Sequence, residues 1–479
     1  MAEAAGLAGR PQRSVALIAI LLLSRALINW AWWRHGFFAI SDDDFARIGI
    51  AQQFAHAPSL DPSGSSWLPL PFWLLGSWLK VFGLSLKAAQ WCGFVFSLLS
   101  VGLYWVAVHW FGFSMRATFW ACLGLTVLPL SLALGLACVP EGYTAALCLL
   151  AVASTLAFTV SQRGVGALAV FAATLCRYET WPIAGLFAGL VLCDVLTKRL
   201  PRRALWFAGL SLLGIAGWLL HGAINQHDAL FFLARVNQYR HALEGTASQG
   251  SSTLNSALSY PALIFRSQPE VSVVLVLGLL FNPALKDFLG RYKRAFGFVG
   301  VLSLFLIVGE LSHSGATHHL ERPLLTVWLL MIVMSVDAWG RIVSDPLRRK
   351  PALIALGICV LILGAVRNTF PPSKPFDRSE EIAIATLAKP IIESDPGVVA
   401  IDCPDYGYLA VAAALAMPGQ ALPVHTHDPR GDVTRSPQSL GARWLIADAQ
   451  SPLLADSGGR TVGQSGHFLL QRLPAGAPQ

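Results

Sequence analysis

The chain has 479 residues, of which 54% are hydrophobic and only 13% carry a charge. Together with a positive mean hydropathy, this composition is typical of a polytopic membrane protein and excludes an ordinary soluble globular protein. The net charge of +8 follows a topology pattern described below, so we expect no nucleic-acid partner.

Apolar runs long enough, or nearly long enough, to cross a bilayer recur along most of the chain. They lie at 14–33, 88–110, 117–137, 143–160, 164–176, 180–196, 204–223, 270–285, 295–312, 323–340 and 351–366. These runs predict about eleven transmembrane helices. No small-residue cleavage site follows the first run, so we interpret it as a retained anchor. Arg25 lies in its middle and should face a partner inside the bundle, such as an acid.

Lysine and arginine residues concentrate in alternate loops between these runs. With the N-terminus in the cytoplasm, the cytoplasmic loops would carry Arg10, Arg13, Arg116, Arg163, Lys198, Arg199, Arg202, Arg203, Lys286, Arg291, Lys293, Arg294, Arg341, Arg348, Arg349 and Lys350. The opposite loops carry far fewer cations, so the positive-inside rule gives one consistent orientation. It predicts a multi-pass protein of a bacterial cytoplasmic (inner) membrane, with its unusual polar residues on the periplasmic face.

The C-terminal tail is more polar than the rest and follows a proline-rich linker. Strands are predicted at VVAID (398–402), RWLIAD (443–448) and FLLQRL (468–473), and a helix at YGYLAVAAALA (406–416). We therefore expect a transmembrane domain over 1–366 and a small α/β periplasmic domain over 367–479.

Three consecutive acids, Asp42–Asp44, follow the first apolar run in a chain that is otherwise poor in charge. A carboxylate beside a membrane can act as general base for an acceptor hydroxyl that attacks a sugar C1. It can also help to hold a divalent cation that neutralises a phosphate leaving group. Alternatively, the acids are solvated or cap the next helix, and Asp44 is the simplest candidate for a cap.

The residues around these acids resemble a known family. The pair Asp42–Asp43 precedes the amphipathic stretch FARIGIAQQFA (45–55), and SSWLPLP (65–71) ends the loop. The turn LCRYETW (175–181) looks like the Arg-Tyr-Glu signature of one bacterial and archaeal branch. With the hydropathy layout of the membrane part, these motifs resemble the C-type (GT-C) membrane glycosyltransferases. That family includes protein O-mannosyltransferases and the aminoarabinose transferases of lipid A.

The resemblance implies an α-helical polytopic GT-C fold and transfer of a sugar from a polyprenyl-phosphate donor. The sugar would be mannose-like or another hexose or pentose, and the acceptor a glycan, a lipid or a protein. The family's base corresponds to Asp42, with Asp43 as second candidate, because three adjacent acids leave the register open by one residue. A single displacement at C1 would invert the anomeric centre. No cofactor is required, although Mg²⁺ or Mn²⁺ could bind Asp42, Asp43 and Glu141.

Other residues expected on the same face are candidates for substrate binding, among them Trp67 in the loop. Glu141 could bind the acceptor or a metal ion shared with Asp42. Alternatively, it is a solvated residue at the membrane interface. Arg177 and Tyr178 could contact the donor phosphate or sugar, with Glu179 orienting a partner. Arg177 and Glu179 could equally pair with each other.

A further polar group, His318, His319, Glu321 and Arg322, precedes a late apolar run. Arg322 is well placed to stabilise a lipid phosphate leaving group, with help from a histidine. The alternative is snorkelling at the membrane interface. Zinc is not favoured, because adjacent side chains rarely point to one metal.

Two other functions remain open. A transporter or flippase of lipid-linked sugars would place ionisable groups near the midplane and often show repeated halves. Here most charges are expected at one interface, and no internal repeat is visible. The other possibility is a noncatalytic assembly subunit that uses its soluble tail as an interaction module.

Overall fold

A computed structural model describes residues 2–157, 159–244, 253–311, 319, 321–369, 376–426 and 433–474. Within these ranges the N-terminal part consists of helices, with a 3₁₀ turn at Arg202–Ala204. The α-helices are α1 (Ala2–Arg34), α2 (Asp42–His56), α3 (Leu70–Phe82), α4 (Leu86–Trp110), α5 (Met115–Val127), α6 (Pro129–Leu136), α7 (Glu141–Leu156), α8 (Val160–Thr174), α9 (Thr180–Leu196), α10 (Leu205–Asn225), α11 (Phe231–Glu244), α12 (Thr253–Ser267), α13 (Pro269–Leu280), α14 (Leu285–Leu311), α15 (Leu325–Val343) and α16 (Pro346–Thr369).

The length and composition of several helices identify a multi-pass membrane protein. In the described ranges, the segments long and apolar enough to cross a membrane are Ser14–Arg34, Leu86–Trp110, Arg202–Asn225, Leu285–Leu311 and Leu325–Val343. The number of candidate spans rises from five to seven if each of two bent helix pairs is counted as one span. These pairs are α5–α6, bent by 64°, and α12–α13, bent by 97°. Every apolar run predicted from the sequence overlaps at least one helix, but the expected total of about eleven spans is not confirmed. Helices α7, α8 and α9 have only 16, 15 and 17 residues.

The break between α5 and α6 has a cause in the sequence. Pro129 begins α6, and proline disfavours a helical conformation in the residue before it. Arg25 of α1 is fully buried and donates hydrogen bonds to the carbonyl oxygens of Thr126 (2.7 Å) and Ser131 (2.6 Å), and to Ser97 Oγ (2.6 Å). Arg25 therefore donates to the carbonyl of Thr126 at the end of α5 and to that of Ser131 in the first turn of α6. The acid that we expected as its partner is replaced by backbone oxygens.

The C-terminal part is an α/β unit, as the strand and helix patterns predict. Its elements are α17 (Ser379–Ser394), β1 (Val398–Asp402), α18 (Gly407–Leu415), β2 (Ala421–Pro423), β3 (His425–Thr426), β4 (Val433–Thr434), β5 (Ala442–Asp448), α19 (Leu453–Asp456), β6 (Arg460–Ser465) and β7 (Phe468–Arg472). The main sheet has the order β2-β1-β5-β7-β6. Strand β1 is parallel to β2 and β5, whereas β7 is antiparallel to β5 and β6.

This α/β unit docks on α2. Phe45 and Ile48 of α2 share a buried apolar cluster with Ala410 and Ala413 of α18. Gln52 Nε2, also buried, donates to the carbonyl oxygen of Ala413 at 2.8 Å. Because α2 carries the three candidate acids at its first turn, this contact helps to fix the position of that turn.

Candidate active site

The first turn of α2 is organised by Asp44. Its Oδ2 accepts hydrogen bonds from the backbone N–H groups of Ile40 (3.2 Å) and Ser41 (3.3 Å), and its Oδ1 accepts one from Cys138 N–H (2.8 Å). Burial raises the pKa of Asp44 to about 6, although the Arg322 charge and the N–H groups of Cys138 and Ile40 oppose the shift. The prediction that Asp44 caps the helix is confirmed, because its carboxylate accepts from the N-cap residue Ser41.

Asp43 faces an arginine of a distant segment. Arg322 is buried, and its Nη1 donates to Asp43 Oδ2 at 2.9 Å while its Nη2 donates to Ser41 Oγ at 2.6 Å. The same Nη1 lies 3.9 Å from Glu141 Oε1. Arg322 thus joins the first turn of α2 to the first residue of α7.

Glu141 and the Arg177–Glu179 turn form the other half of the cluster. Glu141 is 3% exposed, and its Oε1 accepts a hydrogen bond from Arg177 Nη1. Arg177 Nε donates to Glu179 Oε1 at 2.5 Å. Burial alone would lower the pKa of Arg177, but Glu179 and Glu141 raise it above its usual value. The structure therefore contains the Arg177–Glu179 pair anticipated above and adds Glu141 to it.

A small cavity lies inside this cluster. Glu141, Arg177, Glu179, Arg322 and Thr326 line it, together with apolar residues. Oε2 of Glu141 is buried and has no hydrogen-bond partner among the described residues. A buried carboxylate oxygen left without a donor marks a place where a ligand hydroxyl or a water molecule can bind.

Asp42 points elsewhere. Both of its oxygens are bound by Arg378, Oδ1 to Nε at 2.9 Å and Oδ2 to Nη2 at 3.0 Å. Arg378 also donates to Glu381 Oε1 at 2.9 Å. Asp42 is thus bound to the C-terminal unit, whereas its neighbour Asp43 faces the cavity cluster.

Trp67 contacts a residue that sequence reasoning missed. The guanidinium carbon of Arg47 lies 4.4 Å from the centroid of the Trp67 ring and 5.6 Å from that of Phe72. Arg47 is buried on the second turn of α2, one helical turn after Asp43. A charged residue four positions after an acid is typical of a surface ion pair on a helix, so the sequence carried no distinctive signal for it.

The remaining candidates lie around this cluster. Tyr178 stacks on Phe232 at 5.0 Å between ring centroids and contacts Trp181 edge-on. His319 Nδ1 lies 3.6 Å from Glu321 Oε1. Burial of Glu321 opposes the effect of the His319 hydrogen bond, and on balance the pKa of Glu321 is lowered. His318 lies outside the described residues.

The carboxylates do not converge as metal ligands do. Asp42 binds Arg378, Asp43 binds Arg322 and Glu141 binds Arg177. In the described part of the chain, no group of three or more His, Cys, Asp or Glu side chains is arranged to hold a metal ion. The residues present therefore do not fit a divalent cation in this arrangement.

Comparison with known proteins identifies the fold. No family model and no curated protein sequence matches the chain, but solved membrane transferases share its architecture over most of its length. The chain has the fold of ArnT.

Two ArnT structures from Cupriavidus metallidurans carry this result. ArnT bound to undecaprenyl phosphate aligns with a TM-score of 0.64 and 15% identity, covering 96% of this chain and 99% of that chain. Its apo state aligns with a TM-score of 0.62 and 14% identity, with the same coverage. The apo oligosaccharyltransferase of Archaeoglobus fulgidus aligns with a TM-score of 0.50 and 11% identity, covering 91% of this chain and 70% of that chain. At these identities the likeness establishes the fold and leaves the substrate to be argued from the site.

Proposed function

We propose that this protein is an integral-membrane glycosyltransferase that moves a sugar from a polyprenyl-phosphate donor to a glycan, lipid or protein acceptor. The observation that carries the proposal is a charged cluster on an ArnT-like fold, in which the buried Glu141 and Arg322 contact the partly exposed Asp43 and Arg177. ArnT itself was solved with undecaprenyl phosphate. That lipid is what remains when an undecaprenyl-phosphate sugar loses its sugar.

We assign the general base to Asp43 and keep Asp42 as the second candidate. Asp43 faces Arg322 and Glu141, whereas both oxygens of Asp42 are bound by Arg378. In the proposed step, the Asp43 carboxylate takes the proton of the acceptor hydroxyl while that oxygen bonds to the sugar C1. The bond from C1 to the phosphate oxygen breaks, and its electron pair stays on the phosphate. One such displacement inverts the anomeric centre.

The two arginines of the cluster have a positioning role in this proposal. Arg322 holds Asp43 and Arg177 holds Glu141, so that each carboxylate has a defined direction before substrate arrives. Direct contact of Arg322 or Arg177 with phosphate stays a prediction. The same applies to substrate contacts of Tyr178, and to those of His318, His319, Glu321, Glu179 and Trp67.

No step of the mechanism uses a cofactor. Because the three carboxylates pair with three different arginines, the prediction of Mg²⁺ or Mn²⁺ at Asp42, Asp43 and Glu141 gains no support from their geometry. We further propose that the protein lies in a bacterial inner membrane with its N-terminus cytoplasmic. The domain over 1–366 would then carry the chemistry and the 367–479 domain would be periplasmic.

The test is sugar transfer in membranes that contain the full-length protein, so that glycan, lipid and protein acceptors are all present. Undecaprenyl-phosphate donors carrying radiolabelled mannose or a radiolabelled pentose are added, and the label is followed from the lipid to the acceptor fractions. We expect label in an acceptor fraction with one donor, and none with membranes that lack the protein. Movement of the intact labelled lipid across vesicles without transfer would contradict the proposal and favour a flippase.

A further inference from the structure

The turn between α9 and α10 presents four cations at the surface. This basic turn (198–203) contains Lys198, Arg199, Arg202 and Arg203, and all four side chains are exposed. Among the described residues, no carboxylate forms an ion pair with Lys198, Arg202 or Arg203. The basic turn therefore carries positive charge that the described part of the chain leaves uncompensated.

Asp194, the acid that precedes the basic turn, does not neutralise this charge. It is buried, and its Oδ2 lies 2.9 Å from Arg163 Nη2 and accepts a hydrogen bond from Arg294 Nη1, also at 2.9 Å. Arg199 Nη1 is 3.9 Å from its Oδ1. One carboxylate therefore faces three guanidinium groups. Nε and Nη1 of the buried Arg163 have no hydrogen-bond partner among the described residues, so the excess positive charge extends from the surface into the bundle.

Hydrogen bonds and a buried side chain fix the backbone of the basic turn. The carbonyl oxygen of Asp194 accepts the N–H groups of Arg199 at 2.8 Å and of Leu200 at 3.0 Å. Leu200 is buried and anchors the turn against the bundle. Lys198 has the left-handed φ of 58°, which is common where a helix ends. Cations on such a turn lose less conformational freedom on binding a ligand than cations on a mobile segment.

The position of the basic turn is that of a membrane interface. The candidate span Arg202–Asn225 begins within it, so its cations lie at one end of a membrane-crossing segment. Leu196 and Trp206, on either side of the turn, are 71% and 81% exposed. Large apolar side chains exposed beside a span contact lipid, and tryptophan favours the head-group level. Cations at head-group depth and apolar side chains that face acyl chains thus lie side by side.

We propose that the basic turn binds the head group of an anionic phospholipid of the surrounding membrane, with the acyl chains of that lipid along Leu196 and Trp206. Arg202 and Arg203 donate to the phosphate oxygens, and the net positive charge selects anionic over zwitterionic lipids. With the orientation proposed above, this lipid belongs to the cytoplasmic leaflet. The inference goes beyond the proposed function, because α9 separates the basic turn from the Arg177–Glu179 turn and no sugar transfer is involved.

Binding of short-chain lipids to the purified full-length protein in a neutral detergent tests the inference. Microscale thermophoresis compares dioctanoyl phosphatidylglycerol, dioctanoyl phosphatidylcholine and inorganic phosphate. Wild type should bind phosphatidylglycerol more tightly than either of the other two. The double variant Arg202→Gln/Arg203→Gln should weaken phosphatidylglycerol binding by about 10- to 30-fold, because each cation near an anionic lipid contributes a factor of about five.

A matched control separates a specific site from net charge. Arg348→Gln/Arg349→Gln removes the same charge from two other exposed arginines, of which Arg348 lies 3.7 Å from the Asp345 carboxylate, and it should bind phosphatidylglycerol like wild type. Lys198→Gln provides a second route if the first double variant does not fold, and it should weaken binding about fivefold.

Four results would overturn the inference, and none of them depends on sugar transfer. Wild type that does not bind phosphatidylglycerol, or variants of the basic turn that bind it as tightly as wild type, would remove the site. Equal losses in the control double variant would reduce the effect to net charge. Phosphatidylcholine bound as tightly as phosphatidylglycerol would remove the selection for anionic lipids, and inorganic phosphate bound as tightly would remove the role of the acyl chains.

Discussion

At the scale of single residues, the first turn of α2 gives each of three adjacent acids a different partner. Asp42 binds Arg378, Asp43 binds Arg322, and Asp44 accepts the N–H of Cys138. Successive residues of an α-helix are rotated by about 100°, so adjacent side chains cannot share one environment. One helical turn thereby connects the C-terminal unit, the candidate site and the α6–α7 loop.

The buried carboxyl of Asp44 should make stability depend on pH. Its folded pKa of about 6 lies above the usual aspartate value of 3.8, so the native state holds the proton more tightly than the unfolded state. The stabilisation is complete below about pH 4 and is lost as the pH rises through about 6, with an amplitude on the order of 2–3 kcal/mol. Thermal unfolding of wild type and Asp44→Asn in detergent between pH 4 and 8 measures it.

Only the change of the stability difference with pH is diagnostic in this experiment, because Asp44→Asn also alters the helix cap at every pH. Wild type should gain stability relative to Asp44→Asn as the pH falls from 7 to 4. Parallel stability curves for the two proteins over this range would contradict the shifted pKa.

Sequence reasoning predicted which polar residues meet, but of their ion pairs it anticipated only Arg177–Glu179. It expected Asp42–Asp43, Glu141, Arg177 and Arg322 on one face, and most of them do form one cluster. The choice between Asp42 and Asp43 depends on the rotation of α2 against its neighbours, which a sequence pattern does not contain. Arg47 was missed for the same reason, since burial against Trp67 is a tertiary feature.

At the scale of secondary structure, a second buried ion cluster joins helices α8, α9 and α14. Asp194 of α9 is 1% exposed; it lies 2.9 Å from Arg163 Nη2 and accepts a hydrogen bond from Arg294 Nη1 at 2.9 Å. Both arginines were interpreted from the sequence as topology residues. In the folded protein they also tie three helices together through one carboxylate.

Asp194→Asn should therefore destabilise the bundle. Removing the carboxylate leaves buried guanidinium groups without a charged partner, which costs about 3–5 kcal/mol. Asp337→Asn is the matched control, because Asp337 pairs at 3.4–3.5 Å with the more exposed Arg341 and Arg291, and such pairs contribute about 1 kcal/mol or less. Reversible unfolding in mixed micelles compares the two variants, and equal losses would contradict the role of Asp194.

Hydrophobic patterns predicted where the helices and several strands lie, but not how helices break. The strands predicted at 398–402, 443–448 and 468–473 match β1, β5 and β7 within a residue at each end. By contrast, the run at 117–137 is divided into α5 and α6 with a bend of 64°. Pro129 was visible in the sequence, but Arg25, which donates to the Thr126 carbonyl at the break, reaches it from another helix.

At the scale of the whole molecule, the C-terminal unit is part of the site's scaffold. Arg378 binds Asp42 with two hydrogen bonds, and α18 packs on α2 through Ala410 and Ala413. The sequence predicted a separate soluble piece, and nothing in its pattern indicated which surface it would contact. Through Arg378, this unit therefore contacts Asp42, the residue next to Asp43, which we assign as the general base.

A double-mutant cycle measures this connection. Asp42→Asn, Arg378→Gln and the double variant are compared by unfolding in mixed micelles, and the coupling free energy should be about 1 kcal/mol, as for a partly exposed pair. The variant Arg378→Gln should also lower sugar transfer by less than tenfold, because Asp43 keeps its own partner Arg322. A coupling free energy of zero would show that the ion pair does not hold the two parts together.

The central claim is that Asp43 takes the proton during sugar transfer, and side-by-side assay of Asp43→Asn and Asp42→Asn tests it most directly. Both variants replace one carboxylate of the same turn by an isosteric amide, and a cooperative thermal unfolding transition confirms that each is folded. Loss of a general base should reduce transfer by about 10²- to 10⁴-fold in Asp43→Asn, whereas Asp42→Asn should stay within tenfold of wild type. Full transfer by Asp43→Asn, or a reversed order of the two variants, would contradict the account.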